Sequence, residues 1–88
     1  MRSIAFTDSF DRKLNRFLRL HKELVQRVSE VLHLLENDVN SLSLHTHKLH
    51  GKLGKSYACS INYQYRLVFG FDDKHIFPKS IGSHDDVY

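Results

Sequence analysis

The apolar residues of this chain change their spacing about halfway along the sequence. In the first half they recur every three or four positions, as in Phe10, Leu14 and Phe17, which is typical of amphipathic helices. From Tyr57 onward the segments "YACSINY", "YRLVFGF" and "HIFPKSI" carry the alternating or compact apolar patterns of β-strands. Helices followed by strands predict an α+β fold in which the helices pack on one face of an antiparallel sheet.

The helical half contains no Gly or Pro between Phe10 and Leu35. A single helix of about 29 residues would extend about 43 Å, which is long for so small a chain. We therefore expect two helices with a bend between Leu20 and Lys22. A short strand in "MRSIAFT" should precede them, and Thr7 or Asp8 can cap the first helix.

The second half predicts a three-stranded antiparallel meander in which "FDDK" is a turn. Pro78 cannot donate to a strand ladder, so we expect an edge, a bulge or an early strand end near it. The segment "HTHKLHGKLGK" at 45–55 is expected to be a loop, and "GSHDDVY" a turn or a short tail. Cys59 lies within an apolar alternation and should be a small buried hydrophobe.

Length and composition indicate a single globular domain over residues 1–88. Apolar residues make up 41% of the chain, but no apolar run approaches the roughly 20 residues that cross a membrane. The first residues lack the apolar stretch of a signal peptide. One cysteine excludes an internal disulfide framework and fits a cytoplasmic location.

The basic residues have no acidic neighbours in the middle of the sequence. From Val39 to Phe71 there is no Asp or Glu, whereas three histidines, three lysines and an arginine lie there. Such a segment favours an anion or nucleic-acid site, although carboxylates from elsewhere in the fold could neutralise it. His45, His47 and His50 could also ligate a metal, but the lysines would repel a cation and no nearby carboxylate helps. We expect neither a metal nor another cofactor.

The same residues suit metal-free cleavage of RNA. That reaction needs a base for the 2′-hydroxyl proton, cations for the phosphorane and an acid for the leaving 5′-oxygen. Histidine can act as base or acid near neutral pH, and arginine grips phosphate oxygens in pairs. Composition alone only suggests this chemistry, because the candidate residues lie on separate segments.

Two stretches, "HKLHGKLGKSYACSINYQYRLVF" and "IGSHDDVY", resemble the RelE/ParE superfamily of type II toxin–antitoxin toxins, most closely its RelE/StbE or YafQ-like branch. The resemblance implies a RelE-like two-layer fold, with a helical hairpin on a curved, mainly antiparallel four-stranded sheet. It also implies a ribosome-dependent mRNA endonuclease that inhibits translation without a metal. The implied partners are the ribosome, mRNA and a cognate antitoxin from the same operon, which forms a hetero-oligomer with the toxin.

The resemblance implies roles for individual residues. His84 matches the histidine of the final Gly-Ser/Thr-His motif, and His47 the loop histidine, which makes them the acid–base pair. Arg66 matches the strand arginine and would hold the phosphorane, while Tyr88 matches the final aromatic residue and would stack or orient. Four lysines would contact the RNA: Lys48, Lys52, Lys55 and Lys79.

Two positions depart from the YafQ-like pattern. A strand histidine is replaced at Ser60 or Ile61, and an arginine just before the Gly-Ser-His motif is replaced at Lys79 or Ser80. Lysine supplies charge but cannot grip two oxygens. Two alternatives therefore remain: a ParE-like inhibitor of gyrase, and a catalytically weakened module that only binds the antitoxin.

Overall fold

The computed structural model describes residues 1–49 and 55–87. Along the chain, the elements are β1 (Ser3–Ile4), α1 (Asp8–Leu20), a 3-10 turn (Lys22–Leu24), α2 (Val25–Asn37), a second 3-10 turn (Leu42–Leu44), β2 (His47–Lys48), β3 (Tyr57–Ser60), β4 (Tyr65–Phe71), β5 (His75–Ser83) and α3 (His84–Val87). Within these ranges no helix is both long enough and apolar enough to cross a membrane.

The helical half forms two helices with a break at the predicted place. Thr7 caps α1, since its hydroxyl accepts a hydrogen bond from the Phe10 amide at 3.1 Å. At the other end, His21 leaves helical geometry with φ −132° and ψ 63°. A 3-10 turn then leads into α2, so the chain reverses without Gly or Pro. Phe10 and Phe17 are the buried residues of α1.

The sheet has five strands in the order β1-β5-β4-β3-β2. β1 runs parallel to β5, and the other three pairings are antiparallel. The expected α+β architecture and the β3–β4–β5 meander are confirmed, but the expected number of four strands was wrong. The additional strand is β2, where His47 pairs with Ala58 and Lys48 with Tyr57. Both of its side chains are exposed, so the sequence shows no apolar alternation there. Only the backbone pairing with β3 identifies these two residues as a strand.

A bulge interrupts β5 beside Pro78, as its missing amide hydrogen led us to expect. Val68 of β4 pairs with Ser80, but the next residue, Phe69, pairs with Pro78, so Lys79 is the extra residue. β5 then continues to Ser83 and leads directly into α3. The expected turn or tail at 82–88 was therefore wrong for its described part, where Gly82 and Ser83 belong to β5.

Two apolar clusters lie on opposite faces of the sheet. The main core lies between the sheet and the two long helices. Its largest fully buried members are Phe10, Leu35, Leu44, Leu67 and Phe69. The smaller cluster, on the other face, consists of Leu49, Ala58, Val68 and Val87. Since Val87 belongs to α3, this cluster holds α3 against the sheet.

Candidate functional site

The sheet face opposite α1 and α2 carries several of the candidate residues. On β4, Leu67 and Phe69 belong to the helix-side core, so the alternating Arg66 and Val68 project from the other face. Val68 packs there with Val87 of α3. We call this surface the α3 face: the sheet face that carries Ala58, Arg66 and Val68.

Strand register places two predicted residues on this face. His47, Ala58, Val68 and Ser80 form one row across four strands, and Ser60, Arg66 and Gly82 form the neighbouring row. His47 and Arg66 are thus two strands and one row apart, so their Cα atoms are about 12 Å from each other at the usual strand spacing and rise per residue. Of the residues between them, Ala58 and Val68 are buried beneath Leu49 and Val87, so the two polar side chains flank the place where α3 docks.

The ring of His47 is oriented by the backbone of its own loop. Its Nδ1 lies 3.2 Å from the carbonyl oxygen of His45, whose backbone is left-handed with φ 49°. A carbonyl oxygen can only accept, so Nδ1 carries the hydrogen of this contact. Nε2 is then the ring nitrogen that can take up a proton from a substrate, as a general base must.

The guanidinium of Arg66 is anchored at one nitrogen. Its Nη1 donates to the carbonyl oxygen of Asn62 in the turn between β3 and β4 at 2.7 Å and to that of Tyr65, the first residue of β4, at 3.1 Å. Within the described residues, Nε and Nη2 have no hydrogen-bond acceptor. An arginine held in this way can present its remaining N–H groups, on Nε and Nη2, to a phosphate.

His84 enters the α3 face by a different route. It begins α3, and Val87 one turn later anchors that helix in the smaller cluster. The His84 side chain is 73% exposed, and its Nδ1 lies 3.7 Å from a carboxylate oxygen of Asp85. α3 therefore places a carboxylate beside His84.

The bulge in β5 directs Lys79 across the sheet. A Cβ atom added at Gly70 would lie 3.5 Å from Cε of Lys79, which shows that the lysine passes over this glycine. Its ammonium group reaches the buried hydroxyl of Ser56 at 2.7 Å. The sequence alone does not identify Ser56 as the partner of Lys79, because the two residues lie 23 positions apart and meet only through the arrangement of the strands.

The remaining predicted residues are less closely gathered. Lys55 is exposed directly before Ser56. Lys48 is exposed on the edge strand, but it alternates with His47 and so projects toward the opposite side of the sheet. Lys52 and Tyr88, like His50, lie outside the described residues.

The described residues offer little for metal or thiol chemistry. In the ranges 1–49 and 55–87, no group of three His, Cys, Asp or Glu side chains is placed to hold a metal ion. Cys59 is fully buried on the helix side, as expected. Burial raises the pKa of its thiol to about 12, although the positive charges of Arg27 and Arg66 oppose this shift. A thiol in this state is a poor nucleophile.

A separate basic groove runs along the helical layer. It is lined by Arg12, Asn15, Arg16, Leu18, Arg19 and Lys22, with a volume of 730 Å³. All six residues belong to α1 or the turn that follows it. The groove therefore lies on the layer that covers the other side of the sheet from the α3 face.

Solved structures with the same fold are bacterial toxins. YafQ from Escherichia coli strain BL21(DE3) aligns with a TM-score of 0.84 at 17% identity, covering 100% of this chain and 99% of that one. YafQ in the E. coli DinJ–YafQ toxin–antitoxin complex aligns with a TM-score of 0.81 at 18% identity, covering 99% and 97%. The YoeB–YefM complex from Staphylococcus aureus aligns with a TM-score of 0.75 at 27% identity, covering 96% and 98%. No curated protein sequence matches this chain.

These similarities define a toxin of the RelE/ParE superfamily, as the two motif stretches indicated. The sequence pattern of the bacterial toxin of type II toxin–antitoxin systems, YafQ, matches residues 2–88. The chain belongs to this YafQ toxin family.

Proposed function

We propose that this toxin is a ribosome-dependent mRNA endonuclease that inhibits translation in the cytoplasm, and that residues 1–88 act as one toxin domain. The observation that supports the proposal is that strand register puts His47 and Arg66 on the α3 face, that Lys79 passes over the same face, and that His84 begins the helix docked on it through Val87. A protein face that carries cations and imidazole rings fits a phosphodiester backbone better than it fits a small apolar ligand.

The chemistry assigns a role to each group. Nε2 of His47 takes the proton of the 2′-hydroxyl while the 2′-oxygen attacks the adjacent phosphorus. Arg66 stabilises the charge that develops on the phosphorane oxygens. His84 donates a proton to the 5′-oxygen as the P–O5′ bond breaks. The products are a 2′,3′-cyclic phosphate and a free 5′-hydroxyl, and no metal takes part.

Lys48, Lys52, Lys55 and Lys79 would contribute RNA contacts, and Tyr88 would stack on or orient a base. The structural support for these roles differs among the five residues. Lys79 lies over the α3 face, Lys55 is exposed close to it, and Lys48 projects from the other side of its strand. For Lys52 and Tyr88 the support is only the sequence resemblance.

A cognate antitoxin from the same operon is the proposed partner, in a hetero-oligomer with the toxin. The support is the YafQ family itself, together with the DinJ–YafQ and YoeB–YefM complexes, in which proteins of the same fold are held by an antitoxin. Co-purification with the product of the neighbouring reading frame tests this partner.

The test of catalysis uses ribosomes programmed with a defined mRNA. The wild-type toxin should cut the mRNA to give 2′,3′-cyclic phosphate ends. Arg66→Lys keeps a charge but loses the forked donor set, and we expect a loss of about 10²-fold or more in the cleavage rate. His47→Ala and His84→Ala should lose a similar amount, about 10²- to 10⁴-fold.

A matched control is available for His84. His33 of α2 has nearly the same side-chain exposure, 74% against 73%, but lies on the helical layer. His33→Ala should cleave like the wild type. Equal activity of His84→Ala and the wild type would remove the assigned acid, and intact mRNA with inhibited gyrase supercoiling would favour the ParE-like alternative.

A further inference from the structure

A cleft beside the turn between β3 and β4 borders the proposed catalytic groups. Its volume is 270 Å³, and its lining residues are Arg27, Ser43, His45, Ser60, Ile61, Asn62 and Tyr63. Three of these residues connect it to the α3 face. The carbonyl of His45 orients His47, the carbonyl of Asn62 anchors Arg66, and Ser60 is the cross-strand partner of Arg66.

The rim of the cleft carries an aromatic ring that the fold does not use. Tyr63 lies in the turn and is 90% exposed, although large apolar rings are normally at least partly covered. Within the described residues it has no ring partner and no hydrogen bond. An exposed tyrosine is a suitable surface for stacking a planar ligand, because the ring loses little conformational entropy on contact.

The charge in the cleft is already compensated. Arg27 donates to the carbonyl oxygens of Ile61 at 2.6 Å and of Ser43 at 3.4 Å, and it forms an ion pair with Glu30. This arginine therefore holds the cleft walls together and has little charge left to attract a phosphate. What the cleft offers is a ring face with polar groups beside it, which suits a nucleobase.

Asn62 supplies a defined polar edge. Its side-chain oxygen accepts hydrogen bonds from the Gln64 amide at 2.9 Å and the Tyr65 amide at 2.8 Å. These two contacts fix which side-chain atom is the oxygen, so Nδ2 remains as a donor. Bases present carbonyl and ring-nitrogen acceptors at their edges.

We infer that this cleft is a nucleobase-binding site in which Tyr63 stacks on the base of a single-stranded RNA nucleotide that neighbours the cleaved phosphate. The inference rests on the proposed function and adds a site that the catalytic assignment does not include. Tyr63 contributes to RNA binding and to the register of the RNA strand on the protein, and it takes no part in proton transfer.

The test measures binding apart from cleavage. A fluorescent single-stranded RNA with 2′-O-methyl groups cannot be cut, and its affinity is read by anisotropy. Tyr63→Ala should weaken binding by about 5- to 150-fold, the usual effect of removing one base–aromatic stack. Tyr63→Phe keeps the ring face and should stay within about 3-fold of the wild type on the same grounds.

Leu42 provides the matched control. It is 91% exposed, the same as Tyr63 within a percent, and does not line the cleft. Leu42→Ala should bind RNA like the wild type. The salt dependence should also be the same for Tyr63→Ala and the wild type, because no charge is removed. Since both side chains are exposed, thermal melting should show that each variant is folded.

The outcomes separate this site from the catalytic proposal. If the wild type fails to cleave on programmed ribosomes but binds the 2′-O-methyl RNA in a Tyr63-dependent way, the catalytic proposal is wrong and the nucleobase site is supported. If the wild type cleaves while Tyr63→Ala binds and cleaves equally well, the base site is wrong. A wild type that does not bind the RNA, or a Leu42→Ala loss as large as that of Tyr63→Ala, also overturns it.

Discussion

Val87 is the residue through which α3, and with it His84, is attached to the sheet. It is only 8% exposed and packs with Leu49, Ala58 and Val68. An isolated turn of helix has no stability of its own in water, so its position depends on such contacts. Truncating Val87 to alanine should therefore loosen α3 while leaving the main core intact.

The size of the effect follows from the buried surface. Val87→Ala removes two buried methyl groups, each comparable to a buried methylene, which costs about 1.6 kcal/mol at about 0.8 kcal/mol per group. The equilibrium between docked and undocked α3 then shifts by roughly 15-fold, since 1.4 kcal/mol is a factor of ten. Amide hydrogens in α3 should exchange faster by up to about this factor, and mRNA cleavage should slow by up to the same factor.

Val39→Ala is the matched control, because it removes the same two methyl groups from a residue that is 3% exposed in the helix-side core. It should lower the free energy of unfolding by a comparable amount, but cleavage well below the melting temperature should be unchanged. The assays are hydrogen exchange by NMR and cleavage on programmed ribosomes. Unchanged cleavage by Val87→Ala, with faster exchange in α3, would refute the placement of His84 in the site.

Three further changes test other parts of the structure. Cys59 should resist a thiol reagent in the native protein and react only on unfolding, because it is buried and its pKa is raised to about 12; fast native labelling would contradict this. Hydrogen bonds from the Lys74 and His75 amides lower the pKa of Asp72 below its ordinary 3.8. The charged carboxylate therefore stabilises the fold above pH 3.8, and this stabilisation is lost as the pH falls through the lowered pKa. Melting of Asp72→Asn should thus differ from the wild type at neutral pH but converge with it in acid; a constant difference would refute the assignment. Gly70→Ala should raise the unfolding free energy in denaturant by about 0.5–1 kcal/mol, because a Cβ there meets Lys79 only at contact distance; a loss of stability would contradict this.

The sequence predicts those parts of the fold that depend on apolar periodicity. The break near His21, the three meander strands and the buried Cys59 all follow from side-chain spacing. The bulge beside Pro78 follows from a missing amide hydrogen. In each case the information is local, so a single sequence is sufficient to predict it.

The parts that depend on pairing between distant segments were not predictable in this way. β2 is polar on both sides and is a strand only because Ala58 and Tyr57 pair with it. α3 has one apolar anchor, Val87, which in sequence is indistinguishable from a residue in a tail. The contact between Lys79 and Ser56 spans 23 positions and requires the bulge at Lys79, which no local pattern of apolar residues predicts.

The cross-strand register also gives a physical reading of the departures from the YafQ-like pattern. Ser60, one of the two positions at which that pattern has a strand histidine, faces Arg66 directly on the neighbouring strand. A histidine in this pair would lie against the guanidinium, and its protonated form would be disfavoured by the like charge. A small serine leaves the guanidinium its space. Lys79, in place of an arginine, reaches across the same face to Ser56. Arg66 and Lys79 thus both bring positive charge to the α3 face, and under the proposed function these are the charges that would meet the RNA phosphate.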